Sequence, residues 1–383
     1  MRARFALILT SILVVFTGIH YYVGWNLLNW LDRIWPGIPH AAFWSLFWLI
    51  AFSYVLARLA ERFMPHRVSS LLKIVGAWWM AALFYLFLLM PLVDLIALVF
   101  HLAGADPDAY IPWLGGVASV LVLALLAKGV WNAWNPIVRT YEIAIDKEAG
   151  GLKELTVAAA SDLHLGSLVR KRYLNVLVDK LTEMKPDLIL LPGDILDDSF
   201  VPFVRQGMAE SMARLRARFG IFAVLGNHEY FGGHIADYVR TMRDIGIEVL
   251  MDRTVRIGDH FYVAGRKDKT AERMPGGGRL SHEALLAEVD KALPVFLLDH
   301  QPYGFDSAAA SGVDVMLSGH THRGQMTPNH LITRRLFELD WGYKQKGRLH
   351  AVVSSGYGTW GPPIRLGSRS EIIRLVIRFR TPA

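Results

Sequence analysis

Apolar residues run almost unbroken through the first 140 positions and are then confined to short blocks separated by polar, glycine-rich stretches. Four of the early runs are long enough for helices that cross a bilayer, which takes about 20 predominantly apolar residues. They extend from Phe5 to about Tyr22, Ala41 to about Ala57, about Val75 to Val99, and about Ile111 to Ala127. The third is longer than a simple span, and a kink is expected at Pro91. Near its far end lies Asp94, for which an interfacial position or a partner on a neighbouring helix is expected rather than an isolated intramembrane charge. Beyond residue 150 the pattern alternates. Strands are expected at Leu155–Ala160, Leu188–Leu191, Ile221–Leu225, Val295–Leu298, Val313–Leu317, His350–Ser354 and Glu371–Arg378. Helices are expected at Tyr173–Met184, Met208–Phe219, Ile235–Ile245 and His282–Ala292. Short strands at 248–251, 254–257 and 261–264 read as a meander around Gly258-Asp259. The chain thus reads as a multi-span α-helical membrane domain over 1–140 followed by an α/β domain over 141–383, suited to a four-layer α/β/β/α sandwich.

Composition sharpens the division. Hydrophobic residues make up 53% of the chain and mean hydropathy is +0.29; the excess is local. The first 140 residues hold only five acids (Asp32, Glu61, Asp94, Asp106, Asp108), nine Lys or Arg, and ten of the twelve tryptophans. Trp25, Trp30, Trp35 and Trp113 fit an interfacial belt. A cleaved leader is disfavoured. Tyr21 to Asn29 offers no small-residue cleavage site, and Arg2 and Arg4 are separated by Ala3, so no twin-arginine signal is present. Uncleaved insertion as an integral membrane protein is expected, in the inner membrane if the source is bacterial.

Charge then sets the orientation. Arg2 and Arg4 precede the first span, Arg58, Arg62, Arg67 and Lys73 lie between the second and third, and Lys128 and Arg139 follow the fourth. The opposite loops offer Arg33 beside Asp32, and Asp106 with Asp108. Positive loops stay in the cytoplasm, so the second domain is expected there. Net charge is +7, of which +4 falls in the first 140 residues and +3 in the rest. So nearly balanced a domain is not expected to bind nucleic acid. Local clusters at Arg266-Lys267-Asp268-Lys269, Arg334-Arg335 and Lys344 to Arg348 offer either solvated charge or a face for anionic membrane lipids. The segment Arg266 to Arg279, glycine-rich at Gly276-Gly277-Gly278, reads either as a lid over a site or as an ordinary surface loop.

The candidate chemistry lies in five blocks: Ser161-Asp162-Leu163-His164-Leu165-Gly166, Pro192-Gly193-Asp194, Gly226-Asn227-His228-Glu229, Asp299-His300-Gln301-Pro302 and Ser318-Gly319-His320-Thr321-His322-Arg323-Gly324-Gln325. Each follows an apolar, strand-like run, where an open α/β sheet presents its ligand-binding loops. Asp, His and the Asn amide oxygen suit divalent ions such as Mn, Fe or Zn. With no cysteine in the chain, thiolate zinc sites, iron–sulfur clusters and disulfides are excluded. In Asp162-Leu163-His164 and in His320-Thr321-His322 the donors are two apart, which in an extended segment aims both to one side. Gly193, Gly226 and Gly319 each precede a donor and permit close backbone approach. His234, His260, His282, His330 and His350 read as packed or surface residues. Asp197 and Asp198 read as loop caps.

These blocks, in this order, resemble the calcineurin-like metallophosphoesterases, whose pattern is DxH, GD, GNH[ED], H and GHxH. The resemblance covers roughly residues 150 to 375 and implies the four-layer sandwich and a dinuclear metal site. It implies that Asp162, His164 and His322 hold one metal, that Asn227, His300 and His320 hold the other, and that Asp194 bridges them beside the nucleophilic water. His228 would face the substrate, oriented by Glu229 or Asp162. The implied activity is hydrolysis of a phosphoester or pyrophosphate bond. With the membrane domain, a lipid-linked or membrane-delivered substrate is expected, a class that includes the diacylated sugar nucleotides some family members cleave. The alternatives are an anchored hydrolase of soluble phosphodiesters or nucleotides, and a receptor or scaffold that uses the fold without turnover. Oligomeric state is left open by the sequence.

Overall fold

A computed structural model describes residues 2–60 and 63–380, the side chains of residues 2–6 and 9 aside. Glu61 and Arg62 therefore lie outside the described residues, as do the side chains of Arg2, Arg4 and Phe5. Contacts divide the chain into a unit built on residues 1–129 and a second unit that starts at Val130.

The first unit holds helices α1 (Arg2–Ile34), α2 (His40–Leu59), α3 (His66–Leu102) and, up to Gly129, α4 (Pro107–Trp134). All four are long and apolar enough to cross a membrane. Each exceeds its expected span, because the helices continue through polar residues at their ends, where water or headgroups satisfy the side chains. Helix α3 continues through Pro91. Asp94 has a partner on a neighbouring helix, since the Tyr22 hydroxyl donates to its carboxylate. Leu92, Leu95, Val99, Val120 and Leu123 are exposed, an apolar exterior suited to lipid rather than water.

The second unit stacks two six-stranded sheets. The first joins β1 (Ile137–Ile145), β2 (Glu154–Ala159), β3 (Leu188–Leu191), β4 (Ile221–Val224), β5 (Glu248–Leu250) and β12 (Glu371–Phe379) in the order β1-β12-β2-β3-β4-β5. The second joins β6 (Arg253–Ile257), β7 (Phe261–Gly265), β8 (Val295–Leu298), β9 (Val315–Ser318), β10 (Gly342–Lys346) and β11 (Leu349–Val353) in the order β10-β11-β9-β8-β7-β6. Strands β2 to β5 are parallel, and so are β7, β8, β9 and β11. Parallel strands are covered on both faces, and β3, β4, β8 and β9 are buried at every residue.

Side-chain alternation separates three apolar layers. Val157, Leu188, Leu190, Phe222, Val224, Phe296, Leu298, Val315 and Leu317 fill the space between the sheets. The intervening residues face outward: Ala158, Ile189, Leu191 and Ala223 meet Leu174, Leu177 and Leu181 of α5 (Lys171–Glu183). On the second sheet, Val295, Leu297 and Met316 meet α10 (His282–Leu285) and α11 (Phe305–Ala310). The remaining helices are α6 (Phe200–Arg205), α7 (Met208–Met212), α8 (Asn227–Gly232), α9 (Ile235–Asp244) and α12 (His330–Leu336). This is the α/β/β/α sandwich.

Several expected elements differ. The meander is split: β5 ends the first sheet, the chain turns at Asp252 in a left-handed conformation (φ 53°), and β6–β7 form a hairpin on the second sheet. The helix expected to reach Phe219 stops at Met212. Beyond it the Phe219 amide donates to Asp187 O (2.7 Å) and leads the chain into β4. The helix expected to reach Ala292 stops at Leu285; further on, the Asp290 side chain accepts from the Ala292 amide (3.0 Å), a local turn that competes with helix. Strand β1 was not expected. It pairs in parallel with β12 along its whole length.

Candidate metal centre

Five loops meet at the carboxyl ends of parallel strands from both sheets. Asp162 and His164 follow β2, Asp194 follows β3, and Asn227 and His228 open α8 after β4. His300 follows β8, and His320 and His322 follow β9. The donor atoms of Asp162, His164 and His322 lie within 4.8 Å of one another, and so do those of Asp194, His300 and His320. The Asn227 Oδ1 stands 2.9 Å from His320 Nδ1 and 3.2 Å from His300 Nε2. Asp194 Oδ2 lies 3.1 Å from His300 Nε2 and 3.9 Å from His164 Nε2, between the two groups. A third group joins His164, Asp194 and His228.

The local backbone departs from the extended geometry expected for DxH and HxH. Asp162 (φ 53°), His164 (φ 46°), Asp194 (φ 51°), His320 (φ 73°) and His322 (φ 49°) are all left-handed, a conformation that side-chain-bearing residues adopt at a cost. The donors point together through coiled turns rather than through strand alternation. Two glycines make room. A Cβ on Gly226 would stand 2.2 Å from Asp194 Oδ1, and one on Gly319 would stand 2.1 Å from Asp162 Oδ2.

Glu229 fixes these loops. Buried three residues after Gly226, it accepts from the amides of Gly226 (2.7 Å), Asp194 (3.2 Å) and Leu196 (2.8 Å). It therefore does not orient His228, and neither does Asp162. That role falls to Asp198, whose Oδ1 stands 2.6 Å from His228 Nδ1, with Asp197 Oδ1 at 3.9 Å. Asp198 is thus more than a loop cap. Arg365, fully buried, donates to Gly358 O and lies 3.2 Å from His322 Nδ1.

Electrostatics divide the histidines. Burial lowers His164 to about 3 and His320 to about 4, and holds His322 well below its usual value, so these three are neutral and offer a lone pair. His164 Nε2 and His322 Nε2 are 3.0 Å apart. Burial also raises Asp162 to about 6, whereas in Asp194 the opposing effect of His300 outweighs burial and lowers the carboxyl well below its usual range. Burial works against protonating His228, but its bond to Asp198 and the charges of Asp194 and Asp197 raise it to about 9. Against the effect of burial, Asp194 holds His300 well above its usual value, so this ring would give up its proton on binding a metal; with that, buried carboxylates, imidazoles and an amide oxygen facing one another match what divalent cations require.

Within the basic cluster at 266–269 Arg266 is turned inward, whereas Lys269 is exposed. Arg266 is buried against Asp299 (2.9 Å) and His282 (2.7 Å). Its neighbour Asp268, also buried, receives the Gln301 side-chain amide (3.0 Å) beside His300, which ties down one end of the glycine-rich segment. Lys344 and Lys346 pair with Glu338, each at 2.9 Å.

The calcineurin-like phosphoesterase family model matches residues 155–324. An uncharacterized metallophosphoesterase of Aquifex aeolicus is 34% identical over 246 residues, covering 63% of this chain and 91% of that protein. The chain belongs to the calcineurin-like metallophosphoesterases. A zebrafish metallophosphoesterase relative, a transmembrane protein with metallophosphoesterase domain, is 32% identical over 275 residues, 68% of this chain and 62% of its own length. The match thus spans less than two thirds of that relative. A metallophosphoesterase of Campylobacter jejuni is 27% identical over 346 residues, 86% of this chain and 89% of its own. Within the metallophosphoesterase blocks the sequence offered Glu229 or Asp162 as the partner of His228 and missed Asp198. The signal was the Asp197-Asp198 pair three and four residues past Asp194, whose bearing depends on a left-handed turn at Asp198 (φ 54°).

Proposed function

We propose that the chain hydrolyses a phosphoester or pyrophosphate bond with a pair of divalent metals, Asp162, His164 and His322 holding one, Asn227, His300 and His320 the other, and Asp194 both. The convergence of these seven donors from two sheets, with His228 and Asp198 at their edge, carries this reading. When bound, the metals would activate water and neutralise phosphoryl charge. The protein's own part is to hold and move a proton. Asp198 keeps the His228 ring fixed through Nδ1, which leaves Nε2–H to face the phosphoryl group. As water attacks phosphorus and the bond to the leaving oxygen breaks, that oxygen takes the proton from His228 Nε2. The test is turnover of bis-p-nitrophenyl phosphate by the intact protein. Chelation is expected to abolish it, and Mn, Fe or Zn to restore it; turnover that survives complete metal removal would overturn the reading.

The substrate is proposed to be lipid-linked or membrane-delivered, on the strength of four apolar helices in the same chain. The catalytic unit is proposed to lie in the cytoplasm, a reading the positive loops support. Because the chain has no cysteine, single substitutions report topology cleanly. An impermeant maleimide is expected to label Asp106→Cys in intact cells and Met64→Cys only after permeabilisation. The opposite pattern would put the catalytic unit outside.

A further inference from the structure

Two aromatic side chains that the proposed chemistry does not use stand exposed beside His228. Phe231 is 63% exposed and Trp360 is 55% exposed. Their ring centroids lie 6.1 Å and 6.2 Å from that of His228, at steep interplanar angles of 67° and 74°. Large aromatic surface left in water is a common mark of a binding face.

Neither ring hangs on a loose segment. Phe231 belongs to α8, and the next residue, Gly232, lies so close to the Asp198 loop that a Cβ there would stand 1.8 Å from Asp198 O. Trp360 ends a stretch stitched to the first donor loop: the amides of Tyr357 and Gly358 donate to Ser161 O (2.9 Å) and Asp162 O (2.8 Å). A Cβ on Gly358 would stand 2.0 Å from Leu163 O, so that seam requires glycine. Gln325, three residues past His322, then grips the Trp360 backbone from both sides, accepting from its amide (2.9 Å) and donating to its carbonyl (3.0 Å). Rings displayed on fixed backbone bind with little loss of conformational freedom.

We propose that Phe231 and Trp360 form the subsite for the leaving group, and that they receive an apolar chain, as on a lipid alcohol. This rests on the reading of His228 as proton donor to the leaving oxygen, because groups packed against that ring are beside whatever the oxygen carries. A chain fits better than a nucleobase. Base recognition needs polar groups at the rim, and the amide and carbonyl of Trp360 itself are both taken by Gln325.

The test is binding of n-alkyl phosphates to the intact, Mn-loaded protein in one detergent. Octyl phosphate is expected to bind roughly tenfold more tightly than butyl phosphate, as for four methylenes about half removed from water. In Phe231→Ala/Trp360→Ala that ratio is expected to fall below about threefold while inorganic phosphate binds as before, which shows an intact phosphate site. Phe231→Leu/Trp360→Leu keeps the ratio, because the subsite asks for apolar surface. An unchanged ratio in the alanine variant overturns the proposal. So does tighter binding of adenosine monophosphate than of octyl phosphate that is lost in the leucine variant, which would mark a base-stacking site. If no phosphate binds at all, the phosphoesterase reading itself fails, and this inference with it.

Discussion

Asp194→Asn is expected to lower turnover of bis-p-nitrophenyl phosphate by at least about 10³-fold, equivalent to about 4 kcal/mol of barrier. Asp194 Oδ2 lies between the two donor groups, and an amide cannot supply the negative charge that would hold two cations together. The variant should nevertheless fold. Asparagine tolerates the left-handed backbone at this position (φ 51°), and its amide oxygen can still accept the His228 amide, which Asp194 Oδ1 receives at 2.9 Å. An unchanged melting profile of the metal-free protein together with lost activity is the expected pair of results. Full turnover in the folded variant would remove Asp194 from the centre.

His228→Ala is the second large effect, a loss of about 10²–10⁴-fold, the usual contribution of a positioned acid or base. Its distinguishing feature is the leaving group. Esters with good leaving groups need no proton, so the loss should shrink for p-nitrophenolate and grow for alkoxides. Asp198→Asn should follow the same trend with a smaller loss, because it leaves the imidazole present but less firmly held through Nδ1. A uniform loss across leaving groups would instead mean that His228 serves as a metal ligand, as its proximity to His164 and Asp194 would also allow.

Much of this was legible in the chain because it rests on burial. Strands such as Leu188–Leu191 and Val295–Leu298 are apolar at every position, since both faces are covered, and a four-residue apolar block bounded by polar residues has little else to become. Strand β1 escaped notice because its sequence, Ile137 to Ile145, breaks its apolar residues with Arg139, Thr140 and Glu142 in no regular alternation and directly follows the last long helix. Short helices such as α8 and α11 have too few turns to show a period. At the site, residue types that bind metals announce themselves, but orientation does not. The two-apart spacing of Asp162 and His164 suggested an extended segment, whereas left-handed turns do the aiming. The partner of His228 was missed for a similar reason: the sequence offered Glu229 or Asp162, but the Glu229 carboxylate is committed to three backbone amides and Asp198 stands against the ring instead.

That commitment bears on how the enzyme can be altered. One carboxylate gathers the turns after β3 and β4, so neither turn can be redesigned or grafted as an independent module. Diversity introduced into either would propagate to the other through Glu229 and displace Asp194 and Asn227 together. Variation is better tolerated at positions outside this knot, and a lineage or a designer seeking a new substrate would find its freedom there.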